Sequence, residues 1–311
     1  MPEKETCKLY DLMPHLATEE VLEEINDIAV LMKVELDNSL LRTGLEDVGR
    51  LFKGEYPGYR ASNTAYHDHE HTLSVVLAMV RVLHGLMSEG FVVTGQEMLL
   101  GLLAAMFHDT GLIQRVDETE GSGAIFTVGH EERSLILAAK YLAEKGMGAE
   151  EIEACTQIIR ATTLSRMLED IPFRSERVKM LAKALSAADL LAQMADRSYL
   201  EKLPLLYSEF SEAGVKGYES ALDLIKKTDK FYSIVAQPRL RGQFANIDQV
   251  LRSHFRSRWK IDRDLYSEAI DKNLFYLQSL LDVCGDTYAC FLANLQRGGI
   301  TKLLQKEIKN I

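Results

Sequence analysis

The sequence predicts an all-α protein. Apolar residues recur at three- and four-residue spacing through most of the chain, and no credible run of alternating strand residues interrupts them. There are only six prolines, and no low-complexity or internally repeated stretch. The first helix is predicted from Thr18 to about Leu41, with Val21, Leu22, Ile25, Ile28, Ala29 and Met32 on its buried face. Leu51 to Asn63 reads as a loop on account of Gly54, Pro57 and Gly58. Helices are then expected over Tyr66–Ser88, stopped by Gly90, and over Gln96–Asp109, stopped by Gly111. The segment Asp117–Gly123, DETEGSG, is an acidic loop. Further helices follow at His130 to about Lys145, Glu150 to about Thr163 and Glu176 to about Asp196. Beyond Ser198 the helical period returns, as in Tyr218, Ala221, Leu222, Leu224 and Ile225. The expected organisation is an N-terminal helical segment, residues 1–60, packing on a core at 61–200, with a helical segment at 201–311. The recognisable chemistry lies between Tyr66 and Asp189.

Composition narrows the function. Of 311 residues, 47% are apolar and 26% charged, the balance of a soluble globular protein. A formal charge of −10 argues against a general nucleic-acid-binding surface. It leaves room for a small anionic substrate, because a bound metal inverts the local field. The basic run Arg252–Lys260 therefore reads as a helix face. Cys7, Cys155, Cys284 and Cys290 have no metal-ligand spacing, and Cys284 and Cys290, six apart, match neither CxxC nor a disulfide framework. Reduced thiols are expected. Met1–Thr6 has no apolar signal region, and the longest apolar stretch, Met98–Phe107, is too short to span a bilayer. These features predict a cytoplasmic protein without a membrane partner. A homo-oligomer is compatible with them.

Three stretches carry chemistry. In YHDHEHT, Tyr66–Thr72, His67 and His71 are four apart, so a helix there would project both from one face. In GLLAAMFHDTG, Gly101–Gly111, the pair His108–Asp109 ends an apolar run, where burial costs several kcal/mol unless the groups are paired or hold a metal. A local His–Asp hydrogen bond is the plainer alternative. In KALSAADLLAQM, Lys183–Met194, Asp189 sits on an apolar face beside Leu185 and Ala192 and needs a partner, either a basic side chain or a metal. Two His and two Asp mix nitrogen and oxygen donors, which suits Mn, Fe, Zn, Co or, less well, Mg. His15, His69, His84 and His254 have no partner spacing and read as structural or solvated.

The ordered segments YHDHEHTLSVV, AAMFHDTG, GHEERSLILAAKYL, IIRATT and SAADLLAQ resemble the HD superfamily, over roughly Tyr66–Met194. The chain looks similar to bacterial metal-dependent HD phosphohydrolases. It shares the Tyr-His-x-x-x-His opening of cyclic-nucleotide phosphodiesterases but not their HDxxHxGxNN extension, because the run here is HDTGLIQRV. The resemblance implies an HD-domain helical bundle with additional N- and C-terminal helices. It implies His71, His108, Asp109 and Asp189 as ligands of one or two divalent metals per chain. It implies His67 as general acid on the leaving oxygen, and His130 and Glu131 as second-metal ligands or as groups that orient water and phosphate. Thr162 and Thr163 match a family segment near the site. Arg115, Arg133 and Arg160 follow the motif segments and are candidates for neutralising phosphate oxygens. The expected activity is metal-dependent hydrolysis of a phosphomono- or diester, with a small, nucleotide-like phosphorylated substrate. The competing readings are a non-catalytic regulatory module that senses a nucleotide or metal, and an HD-type diiron oxygenase. For the latter, Thr162 and Thr163 stand where a further histidine is expected.

Overall fold

The computed structural model describes residues 5–12 and 16–300 and is all-α, with twelve α-helices and no strand among the described residues. They are α1 (Thr18–Met32), α2 (Asn38–Lys53), α3 (His69–Ser88), α4 (Gly95–Phe107), α5 (His130–Glu144), α6 (Ala149–Arg160), α7 (Glu176–Ala195), α8 (Tyr199–Glu212), α9 (Ala221–Phe231), α10 (Val250–Trp259), α11 (Leu265–Cys284) and α12 (Tyr288–Asn294). Two π-helical turns, Tyr232–Ala236 and Arg239–Gln243, join α9 to α10. His15 lies outside the described residues.

Helix α3 is the axis of the bundle, with α1, α4, α7 and α10 packed around it. Its 20 residues are long and apolar enough to cross a membrane, with a mean hydropathy of 1.3 over an 18-residue window, yet 83% of that window is buried inside the protein. A helix apolar on all sides is a core helix when other helices cover it. The apolar-run criterion applied to Met98–Phe107 therefore overlooked α3, whose apolar stretch is punctuated by buried Arg81 and His84. Arg81 is accommodated because its guanidinium donates to Leu12 O at 2.7 Å and approaches Tyr266 Oη at 3.3 Å. Buried side chains from Cys7 to Leu295 form one continuous core, to which the C-terminal helices contribute through α11 on α7 and α10 on α3.

The structure corrects several expectations. The single helix over Thr18–Leu41 is two helices. Lys33 closes α1 in the left-handed region at φ 54°, and the Asp37 side chain caps α2 by accepting from Leu40 N at 2.9 Å. Apolar spacing carries on across the break because Val34 and Leu36 still pack on the core. Helix α2 also runs to Lys53, into the predicted loop. Helix α3 starts at His69 rather than Tyr66, because the Asp68 side chain is its N-cap and accepts from His71 N at 2.7 Å. Cys284 and Cys290 are joined in a disulfide, not reduced; the turn between α11 and α12 brings their Cα atoms to 5.4 Å. Cys7 and Cys155 are free and buried. The basic run forms α10 and is internally paired, with Arg252 on Asp262 and Arg258 on Glu24.

Candidate metal centre

Three helices deliver the predicted ligands to one point. His71 comes from the first turn of α3, His108 and Asp109 follow the end of α4, and Asp189 comes from the middle of α7. The His71 Nε2 atom is 3.2 Å from Asp189 Oδ1 and 3.5 Å from Asp109 Oδ2. The His108 Nε2 atom is 3.2 Å from Asp109 Oδ2 and 3.7 Å from Asp189 Oδ1. One donor atom each from His71, His108 and Asp109 lies within 4.8 Å of the others, and all three residues are buried, so this group could hold a metal ion.

The ring orientations fit a cation. His108 donates from Nδ1 to Ala105 O at 2.8 Å, which leaves its lone pair on Nε2. That Nε2 is buried and makes no hydrogen bond, although Asp109 Oδ2 is 3.2 Å away. A buried nitrogen without a partner, facing two carboxylates, is what an ion between them would satisfy. His130 repeats the device: Nδ1 donates to Thr127 O at 2.8 Å, and Nε2 faces Asp109 Oδ1 at 3.2 Å. The two oxygens of Asp109 are thus divided, Oδ2 toward His71 and His108 and Oδ1 toward His130.

His130 reaches the cluster because Gly111 lets the first turn of α5 rest on the chain after Asp109. A Cβ at Gly111 would lie 2.0 Å from His130 O and 2.7 Å from Ser134 N. In its place, Gly111 N donates to Ser134 Oγ at 2.9 Å. Glu131 lines the same cavity, with Oε2 3.6 Å from His130 Nδ1.

The charges hold one another. Burial opposes a proton on His108, but Asp109 and Asp189 outweigh it and raise its pKa well above the ordinary value. Burial likewise opposes the charge on His130, yet Asp109 and Glu131 push it up to about 9. Burial would raise Asp109, but His108, His130 and His67 pull it well below the usual carboxylate range, and His108 and His71 do the same for Asp189. A metal entering the cluster competes with protons for His108 and His130, so its affinity should fall as pH falls.

His67 is not on α3 as predicted. It lies in the turn before the helix, and its ring is still 6.2 Å from that of His71 and 6.1 Å from that of His130. Its Nδ1 is 2.6 Å from Glu209 Oε2, and the other Glu209 oxygen accepts from Tyr66 N at 2.6 Å. Burial opposes a charge on His67; Glu209 and Asp109 raise its pKa nonetheless. Glu209, on α8 and 4% exposed, was not found from the sequence. A signal existed: Leu200, Leu203, Leu206 and Glu209 fall at three-residue steps, which puts a carboxylate in line with the buried face.

A cavity of about 570 Å³ opens on the cluster. Thr162 and Thr163 line it, and Thr162 spends its hydroxyl on Ile159 O at 2.9 Å. Arg115, Arg133 and Arg160 do not line it. Arg115 is an exposed partner of Asp117, and Arg160 pairs with Glu132. Arg133 is committed to Glu118 and to Gly111 O. A second residue missed from the sequence, Arg239 of the π-helical segment, fixes the rim by donating to Leu164 O at 2.7 Å and Arg166 O at 3.0 Å.

No curated protein matches the chain. The model of one family, Npun_R2479-like, matches residues 57–253. The matched span contains every ligand-bearing segment of the cluster as well as α8 and α9. Since it covers well over half of the sequence, the chain belongs to the Npun_R2479-like family.

Proposed function

We propose that the protein is a metal-dependent phosphohydrolase of the HD type, with His71, His108, Asp109 and Asp189 holding a divalent ion. The observation that carries the reading is the buried Nε2 of His108, which makes no hydrogen bond yet lies within 3.7 Å of two carboxylates, with His71 on the same carboxylates. The mixed nitrogen and oxygen donors suit Mn, Fe, Zn or Co ahead of Mg. A bound ion of this kind supplies Lewis-acid activation of water and of a phosphoryl oxygen.

The chain's own residues supply the rest. His67 is the general acid. Glu209 occupies its Nδ1, which fixes the tautomer and ring plane and leaves Nε2 to give a proton to the departing oxygen. Glu209 is a positioning residue, because it acts through His67. His130 and Glu131 extend the donor set beyond Asp109 Oδ1, and the division of the two Asp109 oxygens favours a second ion there.

The test is elemental analysis of the purified protein beside Asp109→Ala, together with hydrolysis of nitrophenyl phosphates and nucleotides under several divalent metals. The expected outcome is one or two metals per chain, lost in the variant along with phosphoester turnover. Protein that binds metal yet turns over no phosphoester would move the reading to a metal- or nucleotide-sensing module, and oxygen consumption by an iron-loaded form would move it to an oxygenase.

A further inference from the structure

The cavity on the cluster is chemically two-sided. At one end stand His67, His71, Asp109, His130 and Asp189. Another part of the lining comes from α8, α9 and the turn between them: Leu203, Leu206, Phe210, Tyr218, Leu224 and Phe231. Phe210 and Tyr218 stack on each other at 5.7 Å, and Leu203 and Leu224 join this lining to the buried core. Leu206 and Phe210 flank Glu209 on α8, so the apolar wall begins beside the histidine assigned to the leaving oxygen.

Cationic anchors for further phosphates are scarce here. Among the described residues lining the cavity, the only Lys or Arg side chains are Arg166 and Lys227, and Lys227 is bound to Asp223 at 2.7 Å and to Gly217 O. Glu131 stands at the same cavity and would repel a polyphosphate. One charged end and a chamber of this volume with a cluster of apolar side chains from α8 and α9 fit an amphipathic ligand of modest size.

We propose that the scissile phosphoester carries a bulky apolar alcohol, seated against α8 and α9 with its phosphoryl group at the His–Asp cluster. This substrate class rests on the phosphohydrolase reading. In the step, a water oxygen bonds to phosphorus and the bond from phosphorus to the alcohol oxygen breaks. That oxygen takes the His67 proton, and the proton given up by water returns to His67 through solvent. The products are the apolar alcohol and a phosphate. The residues after Ser198 thereby acquire a role: they form the alcohol-binding half of the site.

The experiment titrates the metal-loaded full-length protein with n-alkylphosphonates, from methyl to hexyl, by calorimetry, and follows hydrolysis of the matching n-alkyl phosphates. The head group stays constant across the series, so affinity reads the apolar wall alone. Binding is expected to tighten about fourfold per methylene until the chamber is filled. Phe210→Trp should make the rise level off at a shorter chain, and Phe210→Ala at a longer one. Affinity independent of chain length in the wild type, or a levelling point unmoved by both variants, overturns the apolar-alcohol assignment and leaves the hydrolase reading standing. Length-dependent binding without hydrolysis of any ester overturns the hydrolase reading and keeps the chamber as a site for an apolar ligand. Absence of binding by every phosphonate overturns both.

Discussion

Helix α3 carries a buried histidine near each end, and the two sit in opposite electrostatic settings. His71, in the first turn, faces Asp109 and Asp189. His84, in the fifth, faces His254 of α10, with the two Nδ1 atoms 2.8 Å apart, and Arg258 is near. Burial and Arg258 press the pKa of His84 down to about 4. Burial, Arg81, His84 and Arg258 press His254 well below its ordinary value. Both places are buried and both hold imidazoles. What separates them is the sign of the neighbours. Carboxylates around His71 suit a metal cation, whereas arginines around the second pair already supply positive charge. The second pair is a neutral hydrogen bond that clasps α10 to α3. Burial of a histidine alone therefore does not mark a site; burial among acids does.

That contrast can be broken most forcefully at His67. Replacing it with alanine should lower kcat by ~10²- to 10⁴-fold at unchanged metal content, because the loss is of a general acid and not of a ligand. Elemental analysis beside steady-state kinetics checks this, and metal lost from the His67→Ala protein would put His67 in the coordination shell. Glu209→Gln is the next largest effect, a fall of roughly 10- to 100-fold for removing a partner that orients a catalytic imidazole. The carboxylate also raises His67, so the limb of the kcat–pH profile set by that group should move to lower pH in Glu209→Gln. A profile that keeps its shape would reduce Glu209 to packing.

The smallest effect belongs to the neutral pair. The folded pKa values of His84 and His254 lie below the unfolded value near 6.5. The unfolded chain thus binds more protons at moderately acid pH. Stability contributed by the pair is present above about pH 6.5 and is lost as pH falls toward about 4, at up to roughly 1.4 kcal/mol per pH unit for each histidine. Urea unfolding at pH 7 and pH 5 should show this slope in the wild type and a flatter one in the double variant His84→Leu/His254→Leu. Equal slopes would mean that the pair takes up protons without cost and that the arginines do not govern it.

The helical character, the order of the elements from α3 to α7 and the four proposed ligands were all legible in the sequence. A carboxylate or a His–Asp pair inside an apolar helical pattern is conspicuous when each segment is read by itself. The parts that escaped depend on distant segments. Glu209 meets His67 across 142 residues, and nothing local to either announces the contact. Arg133 looked like a phosphate ligand because it follows a motif, while its charge is consumed by Glu118 and its Nε by Gly111 O. His67 was placed one turn from His71 on a helix because spacing cannot tell an N-cap from a helical residue; Asp68 decided that by bonding His71 N. The Cys284–Cys290 bridge was missed because a spacing of six says nothing until a turn folds the chain back.

Gly111 couples two segments that are nineteen positions apart. Its bare backbone is the floor on which the first turn of α5 stands, and a single methyl there would collide with the carbonyl of His130. A side chain at 111 would lift that turn and cost His130 its reach to Asp109. The dependence runs one way: replacing His130 leaves the carbonyl at 130 and the amide of Ser134 in place, and with them the need for glycine. The bare backbone at 111 is thus a doorstop for the fifth helix, set by its main chain and not by the imidazole it delivers.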